Sequence, residues 1–223
     1  RAAGQGDRAH LPQVRAAGPS MTYKSIDAAI PSIDKVSAPA DRSHRKVTAT
    51  HRRRLAILDG KGRAAAIVDP LPAPGECLHL AIAGTYSGWA VAAAIAGLIP
   101  DPIDHLTIST LGFNRDNADD LIAWLDSGRV RGATLNVSTY FRSSDRDIFE
   151  SIKRDMDARG QVVMVTRSHA KLLLFDAGPR AIVCETSANL RSSQNWEQAT
   201  IFDSRELLEF HRAWIAGLHR EYE

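Results

Sequence analysis

The stretch RSHAKLLLFDAGPRAIVCETSANL, residues 167–190, carries two apolar runs, Lys171–Phe175 and Ala181–Glu185, joined by a short connection. Runs of this length, rich in branched and aromatic residues, predict strands. Side chains in a strand alternate faces, so His169 and Lys171 share one surface, and Ser187 and Asn189 share another. Lys171 offers an ammonium charge and several donors suited to a phosphate oxygen. His169 supplies a ring nitrogen able to attack or carry a proton near neutral pH. Ser187 and Asn189 add neutral donors for the remaining oxygens. Glu197 is expected to accept a hydrogen bond from the far imidazole nitrogen, fixing the tautomer.

Upstream of this stretch the chain alternates predicted strands and helices. Leu78–Ala83 reads as a strand, Trp89–Leu98 as a buried helix, and His105–Leu111 as a strand. Asn117–Asp126 follows as an amphipathic helix closed by Gly128, then Val130–Tyr140 as a strand. Ser144 or Asp145 caps a helix running to Ala158 and ended by Gly160. Gln161–Thr166 and Ala199–Asp203 are further strands, and Glu206–Tyr222 is a closing helix. Such alternation predicts an α/β fold: a mixed, largely parallel sheet with helices on both faces. The short connections between the last strands add an antiparallel component.

Residues 1–75 show little periodic hydrophobicity. Residues 1–53 read as a disordered or extended basic N-terminal segment, in which residues 1–20 form an extension ahead of Met21. Residues 54–75 read as a short hairpin, Arg54–Leu58 and Ala64–Val68 around Asp59-Gly60-Lys61-Gly62, followed by a linker at Pro70, Pro72 and Pro74. Residues 76–223 form the regular domain. Arg42, Arg45, Lys46, Arg52, Arg53 and Arg54 give the basic segment the character of an arm that meets polyanion phosphates.

Composition excludes several classes. The chain of 223 residues is 44% hydrophobic and 24% charged, with a formal net charge of +2, which is ordinary for a globular protein. No apolar run approaches the length of a membrane span, so no membrane insertion is expected. Cys77 and Cys184 lie beside strand-like runs without a CxxC partner, so they read as free buried thiols of a reducing cytoplasm, with no zinc site. Gly84–Gly88 reads as a tight strand-to-helix turn. His79 and His105 read as strand-edge polar residues rather than ligands of a shared metal. Trp196 is expected to pack in the core, its alternative being a base-stacking surface. Tyr140, Phe141 and Arg142 are expected to end a strand and would line a substrate groove if that end faces the site.

His169-x-Lys171-x4-Asp176, then Ser187-x-Asn189, then Glu197, resembles the HxKxxxxD signature of the phospholipase D superfamily. Thr186 stands where that family usually has Gly. The resemblance implies the phospholipase D-like fold and a metal-independent, cofactor-free phosphodiesterase. One histidine forms a phosphohistidine and a second protonates the leaving oxygen, with lysines and asparagines stabilising the pentacoordinate charge and Asp176 serving the motif's structure. Two such motifs are required. Neither His44-Arg45-Lys46 nor His51-Arg52-Arg53 repeats the spacing and its flanks, so a homodimer with a composite site, each chain lending His169, Lys171 and Asn189, is the expected assembly. The basic segment and single-motif build favour nucleic acid, DNA ahead of RNA, as substrate. The rivals are a phospholipase D or phosphatidyl transferase acting on lipid, and a catalytically inactive nucleic-acid-binding module.

Overall fold

The computed structural model describes residues 52–59, 64–83 and 86–222, all within the unit Ala49–Glu223. Chain order is β1 (Arg52–Asp59), α1 (Ala64–Val68), β2 (Glu76–Ala83), β3 (Tyr86–Ser87), α2 (Gly88–Leu98), β4 (His105–Thr110), α3 (Arg115–Asp126) and β5 (Ala133–Ser138). There follow α4 (Thr139–Ser144), α5 (Arg146–Asp157), β6 (Val162–Thr166), β7 (Leu172–Ala177), β8 (Arg180–Thr186), β9 (Ser192–Ser193), β10 (Glu197–Asp203) and α6 (Arg205–Tyr222). Eight strands make one sheet in the order β1-β2-β10-β8-β7-β4-β5-β6, and β3 pairs separately with β9.

The expected largely parallel sheet is corrected to a mixed one with an antiparallel centre. Four interfaces, β2/β10, β10/β8, β8/β7 and β7/β4, are antiparallel, while β1/β2, β4/β5 and β5/β6 are parallel. The cause is the length of the connections. Helical crossovers α3 and α4–α5 return β5 and β6 parallel to β4, whereas β7 and β8 are joined by Gly178-Pro179 alone, which permits only a hairpin. Gly178 sits at φ 59°, a left-handed conformation that glycine adopts without a Cβ clash.

Alternation along the central strands builds two apolar layers. Leu173, Phe175, Ile182 and Cys184 face a large core that also takes Val91 and Ile95 of α2, Leu121 of α3, Phe141 of α4 and Phe149, Ile152 and Met156 of α5. Leu172, Leu174, Ala181 and Val183 face the opposite side, against Leu208 and Ile215 of α6. Helices therefore cover both faces. The spacing of Phe149, Ile152 and Met156 places them along one side of α5, where burial contributes about 1.5–3 kcal/mol each. Asn114 and Asn117 form a reciprocal capping box at the start of α3. Gly128, at φ 71°, ends the same helix as expected.

Three local expectations change. The hairpin expected within 54–75 is instead a strand and a helix: β1 runs parallel to β2 as an edge of the main sheet, and Ala64–Val68 is α1, with Ala64 and Val68 buried in the core. The main sheet thus begins at Arg52, inside the segment expected to be irregular. The strand expected to reach Tyr140 stops at Ser138, whose hydroxyl accepts the Phe141 amide and starts α4. Both cysteines are free and buried, and burial pushes the Cys184 thiol up to about 12. Among the described residues no helix is long and apolar enough to cross a membrane.

Asp176 fastens α6 to the sheet. Its carboxylate accepts Arg205 at 2.6 Å and Arg212 at 2.9 Å, and Arg205 also donates to the Gly178 carbonyl at 2.7 Å. Both arginines are partly exposed, so water screens the pairs and their contribution is modest. Asp176→Ala is expected to lower stability by about 1–2 kcal/mol and Tm by a few degrees. Thermal denaturation checks this, and an unchanged Tm would assign the holding of α6 to Leu208 and Ile215 alone.

Candidate active site

One end of the sheet gathers the residues singled out in the sequence. Strands β2, β4, β5, β6 and β8 finish there, and β7 and β10 begin there. Crevices outside strand ends of this kind are where open α/β sheets accept ligands. His169 and Lys171 immediately precede β7, and Ser187 and Asn189 immediately follow β8. The two segments are joined by the Thr186 amide, which donates to the Lys171 carbonyl at 3.1 Å.

His169 is exposed, and Lys171 and Asn189 are partly so. The Lys171 ammonium lies 2.9 Å from His169 Nδ1 and 3.1 Å from the His169 carbonyl. An ammonium only donates, so Nδ1 accepts and the neutral ring carries its proton on Nε2. Partial burial holds the Lys171 ammonium below the usual lysine range, and the nearby Glu197 carboxylate pulls it back up. Asn189 is pinned at two points. Its Oδ1 accepts the Leu111 amide at 3.3 Å, and its carbonyl accepts the Gly88 amide at 3.1 Å. That leaves the Asn189 side-chain NH₂ as a donor without a hydrogen-bond partner among the described residues. Only glycine fits at position 88, because a Cβ there would stand 2.6 Å from the Asn189 carbonyl oxygen.

Glu197 does not accept from His169, contrary to expectation. Its carboxylate takes the Ser187 hydroxyl, in a short contact, and the Ser187 oxygen in turn accepts the Gln198 amide at 3.0 Å. The reason lies in register: β10 pairs with β8, Ala199 opposite Thr186, which sets Glu197 beside the segment that follows β8. Thr186 contributes to the frame. Its hydroxyl donates to the Gln198 carbonyl at 2.8 Å and accepts the Ala188 amide at 3.0 Å, two contacts a glycine lacks.

Other expected residues lie elsewhere. Asp176 is at the far end of β7, bound to α6. Arg52, Arg53 and Arg54 are paired in register with Glu76, Cys77 and Leu78, at the opposite end of the sheet from His169 and roughly 20 Å along the strand direction. Arg42, Arg45, Lys46, His44 and His51 lie outside the described residues. His79 and His105 stand on β2 and β4, with β10, β8 and β7 between them, and bind Thr200 and Thr134 respectively. Burial and Arg212 hold His105 below the usual histidine range.

The sequence reading missed a buried polar chain beneath the histidine loop. Ser109 on β4, Asn136 on β5 and Thr166 on β6 are 2%, 1% and 1% exposed. Thr166 donates to Asn136 Oδ1 at 2.9 Å, Asn136 Nδ2 donates to Ser109 Oγ at 3.0 Å, and Ser109 donates to the Ala170 carbonyl at 3.0 Å. Thr166 Oγ1 also accepts the Ser168 amide at 3.2 Å. The chain thus grips the residues on both sides of His169 from below. A signal for it existed: polar residues alternate with apolar ones in β4 (Thr107, Ser109) and β5 (Thr134, Asn136), and Thr166 closes the apolar run of β6. Asn136→Leu leaves the Thr166 hydroxyl without its acceptor and the Ser109 oxygen without its donor in a dry layer, at about 1–3 kcal/mol for each lost partner, while both keep their contacts to the 168–170 backbone. Stability is expected to fall by about 2–4 kcal/mol and amide exchange at Ser168 and Ala170 to accelerate beyond the change elsewhere. Uniform exchange across the sheet would show that the loop is held by other contacts.

No family model matches this chain, and no curated protein matches it. Among solved structures it is similar to a polyphosphate kinase from Porphyromonas gingivalis, at 15% identity and a TM-score of 0.42, over 56% of this chain and 22% of that one. It is also similar to a phosphatidylserine synthase from Haemophilus influenzae Rd KW20, at 16% identity and a TM-score of 0.45, over 67% of this chain and 40% of that one. The chain spans less than half the length of either.

Proposed function

We propose that this chain is a metal-independent phosphodiesterase that cleaves nucleic acid, DNA ahead of RNA, through a phosphohistidine at a site shared by two subunits. The observation that carries the reading is the contact of Lys171 with His169 Nδ1 at 2.9 Å, on a sheet end that also presents the Asn189 NH₂. An imidazole and an ammonium stand in contact before β7, and an amide side chain stands after β8, the strand paired with it. That set suits a tetrahedral anion passing through a pentacoordinate state. The motif's resemblance to the phospholipase D superfamily points the same way.

In this reading a bound phosphate draws the Lys171 ammonium off Nδ1, since an anion outcompetes a neutral ring nitrogen. The ring proton then resides on Nδ1, and Nε2 presents its lone pair to phosphorus. Attack forms the P–N bond as the P–O bond to the leaving group breaks. A second imidazole protonates that oxygen, then takes a proton from water as water displaces Nε2. One ring cannot occupy both positions. Three other histidines have described side chains, and each is committed elsewhere: His211 is buried and bound to Glu185, and His79 and His105 bind threonines on the neighbouring strands β10 and β5. A second copy supplies the missing imidazole most simply.

His169→Ala is expected to reduce cleavage of a DNA strand at least about a thousandfold. Its circular dichroism and Tm should be unchanged, because the side chain is exposed. Cleavage by the intact chain should persist in excess chelator. Activity retained in His169→Ala, or lost in chelator and restored by magnesium, would remove the mechanism. Glu197→Gln deletes the charge that raises the Lys171 ammonium, so the alkaline limb of kcat/KM should move to lower pH. A limb that stays or moves to higher pH would show that Lys171 does not set it.

A further inference from the structure

Two large aromatic side chains stand exposed at the sheet end that holds His169. Trp196, expected in the core, is 70% exposed, and Tyr140 is 65% exposed. Burial of apolar area would ordinarily draw rings of this size inward. Their placement is symmetric. Trp196 immediately precedes Glu197 at the start of β10, two strands to one side of β7. Tyr140 is in the first turn of α4, directly after β5, two strands to the other side. At about 4.8 Å per strand, the strands next to the two rings lie roughly 19 Å apart, one on either side of the strand that follows His169.

Each ring sits on a fixed base. Glu197, next to Trp196, holds Ser187 and acts on the Lys171 charge. Tyr140 is carried by a helix whose neighbouring Phe141 is buried against Phe113, with ring centroids 4.6 Å apart. Ser138, two residues earlier, donates to the Leu111 carbonyl at 2.8 Å, and the Leu111 amide is the donor that pins Asn189. The frame that fixes the phosphate donors therefore fixes both rings.

Exposed arginines accompany them. Arg167 stands two residues before His169, and Arg142 lies in the last turn of α4 beside Tyr140. Among the described residues neither has a carboxylate partner, whereas Arg146, Arg191 and Arg205 pair with Glu150, Asp145 and Asp176. Uncompensated guanidinium groups, one beside Tyr140 and one on the segment that leads from β6 to His169, join the exposed rings in a surface that combines charge and π faces. Such surfaces bind unpaired nucleic acid, in which bases are free to stack and the backbone runs between cations. A duplex hides its base faces in its own stack and has nothing to offer the two rings.

We infer that this site takes single-stranded nucleic acid, with bases stacked on Trp196 and Tyr140 on either side of the phosphate at His169. This rests on the nucleic-acid reading above and narrows it to unpaired strands. The test uses the full chain carrying His169→Ala, so that the strand survives, with a thymidine oligomer, an abasic oligomer of equal length and a blunt duplex at one salt concentration. Tight binding is expected for the thymidine strand, at least about tenfold weaker binding for the abasic strand, and no preference for the duplex. Trp196→Ala and Tyr140→Ala should each weaken thymidine binding by about tenfold and leave abasic binding in place. The Trp196 fluorescence should be quenched by the thymidine strand alone. Equal affinity for thymidine and abasic strands, or preference for the duplex, would overturn the stacking role while leaving a phosphate-binding site. Binding to none of the three would overturn the nucleic-acid reading itself. If the aromatic variants instead halve the molecular mass in solution without changing base-dependent binding, the rings seat a second copy of the chain, and the inference fails.

Discussion

Antiparallel pairing of β7 with β8 brings the Thr186 amide to the Lys171 carbonyl, and the chemistry-bearing side chains are hung on either side of that contact. A hairpin closed by only Gly178 and Pro179 leaves no freedom in the register. A slip by one residue would send Leu173 and Phe175 to the α6 side and Leu172 and Leu174 into the larger core. Both apolar layers resist that exchange, so the core fixes where His169 and Lys171 emerge relative to Ser187 and Asn189. Packing in the middle of the sheet thereby sets the geometry at its end.

The same strands carry a second constraint. Most of the sheet is lined by aliphatic side chains, yet Ser109, Asn136 and Thr166 form a hydrogen-bonded chain in a fully buried row. Buried polar groups are tolerated only when satisfied, and these satisfy one another and then the backbone of the 168–170 segment. An apolar row would pack as well but would leave the Ala170 carbonyl and Ser168 amide without these partners. The row therefore reads as a foundation for an exposed loop, which has few contacts of its own to hold it.

Much of this was legible in the sequence, for reasons that differ by element. The helices α2, α3, α5 and α6 announced themselves by apolar spacing and by stop signals such as Gly128 and Gly160. His169, Lys171, Ser187 and Asn189 were legible as residues flanking the two apolar runs of a short hairpin, but all four stand just outside β7 and β8, so the strand alternation expected to pair their faces does not govern them. What failed was non-local. Sheet polarity depends on which strands become neighbours, and β10 inserts between β2 and β8, a choice no local pattern records. Glu197 was assigned to the imidazole because its strand register against β8 could not be read. The apolar run Ala64–Val68 suited a strand or a short helix equally well, and burial against α2 and the core decided for the helix. Trp196 was misplaced because aromatic residues usually go inside, and only an exposed position tells the other story.

Exposure of His169 is the feature that ties these threads together. A buried imidazole would be easier to preorganise, and the protein has the apolar volume to hold one. Instead the imidazole stands open, oriented by one lysine and supported from below by backbone contacts. An open half-site with a single ring is chemically incomplete for a two-step displacement, since attack and leaving-group protonation need nitrogens on opposite sides of phosphorus. In the proposed reading the exposed edge admits both a second imidazole and a substrate, and a thin substrate makes that compatible. In the proposed reading an unpaired strand threads the edge as one backbone, with its bases turned aside onto Trp196 and Tyr140. A duplex about twice as broad would compete for the space a second subunit needs. Openness at His169, the exposed rings of Trp196 and Tyr140, and His79, His105 and His211 being bound elsewhere are in that reading three consequences of one arrangement.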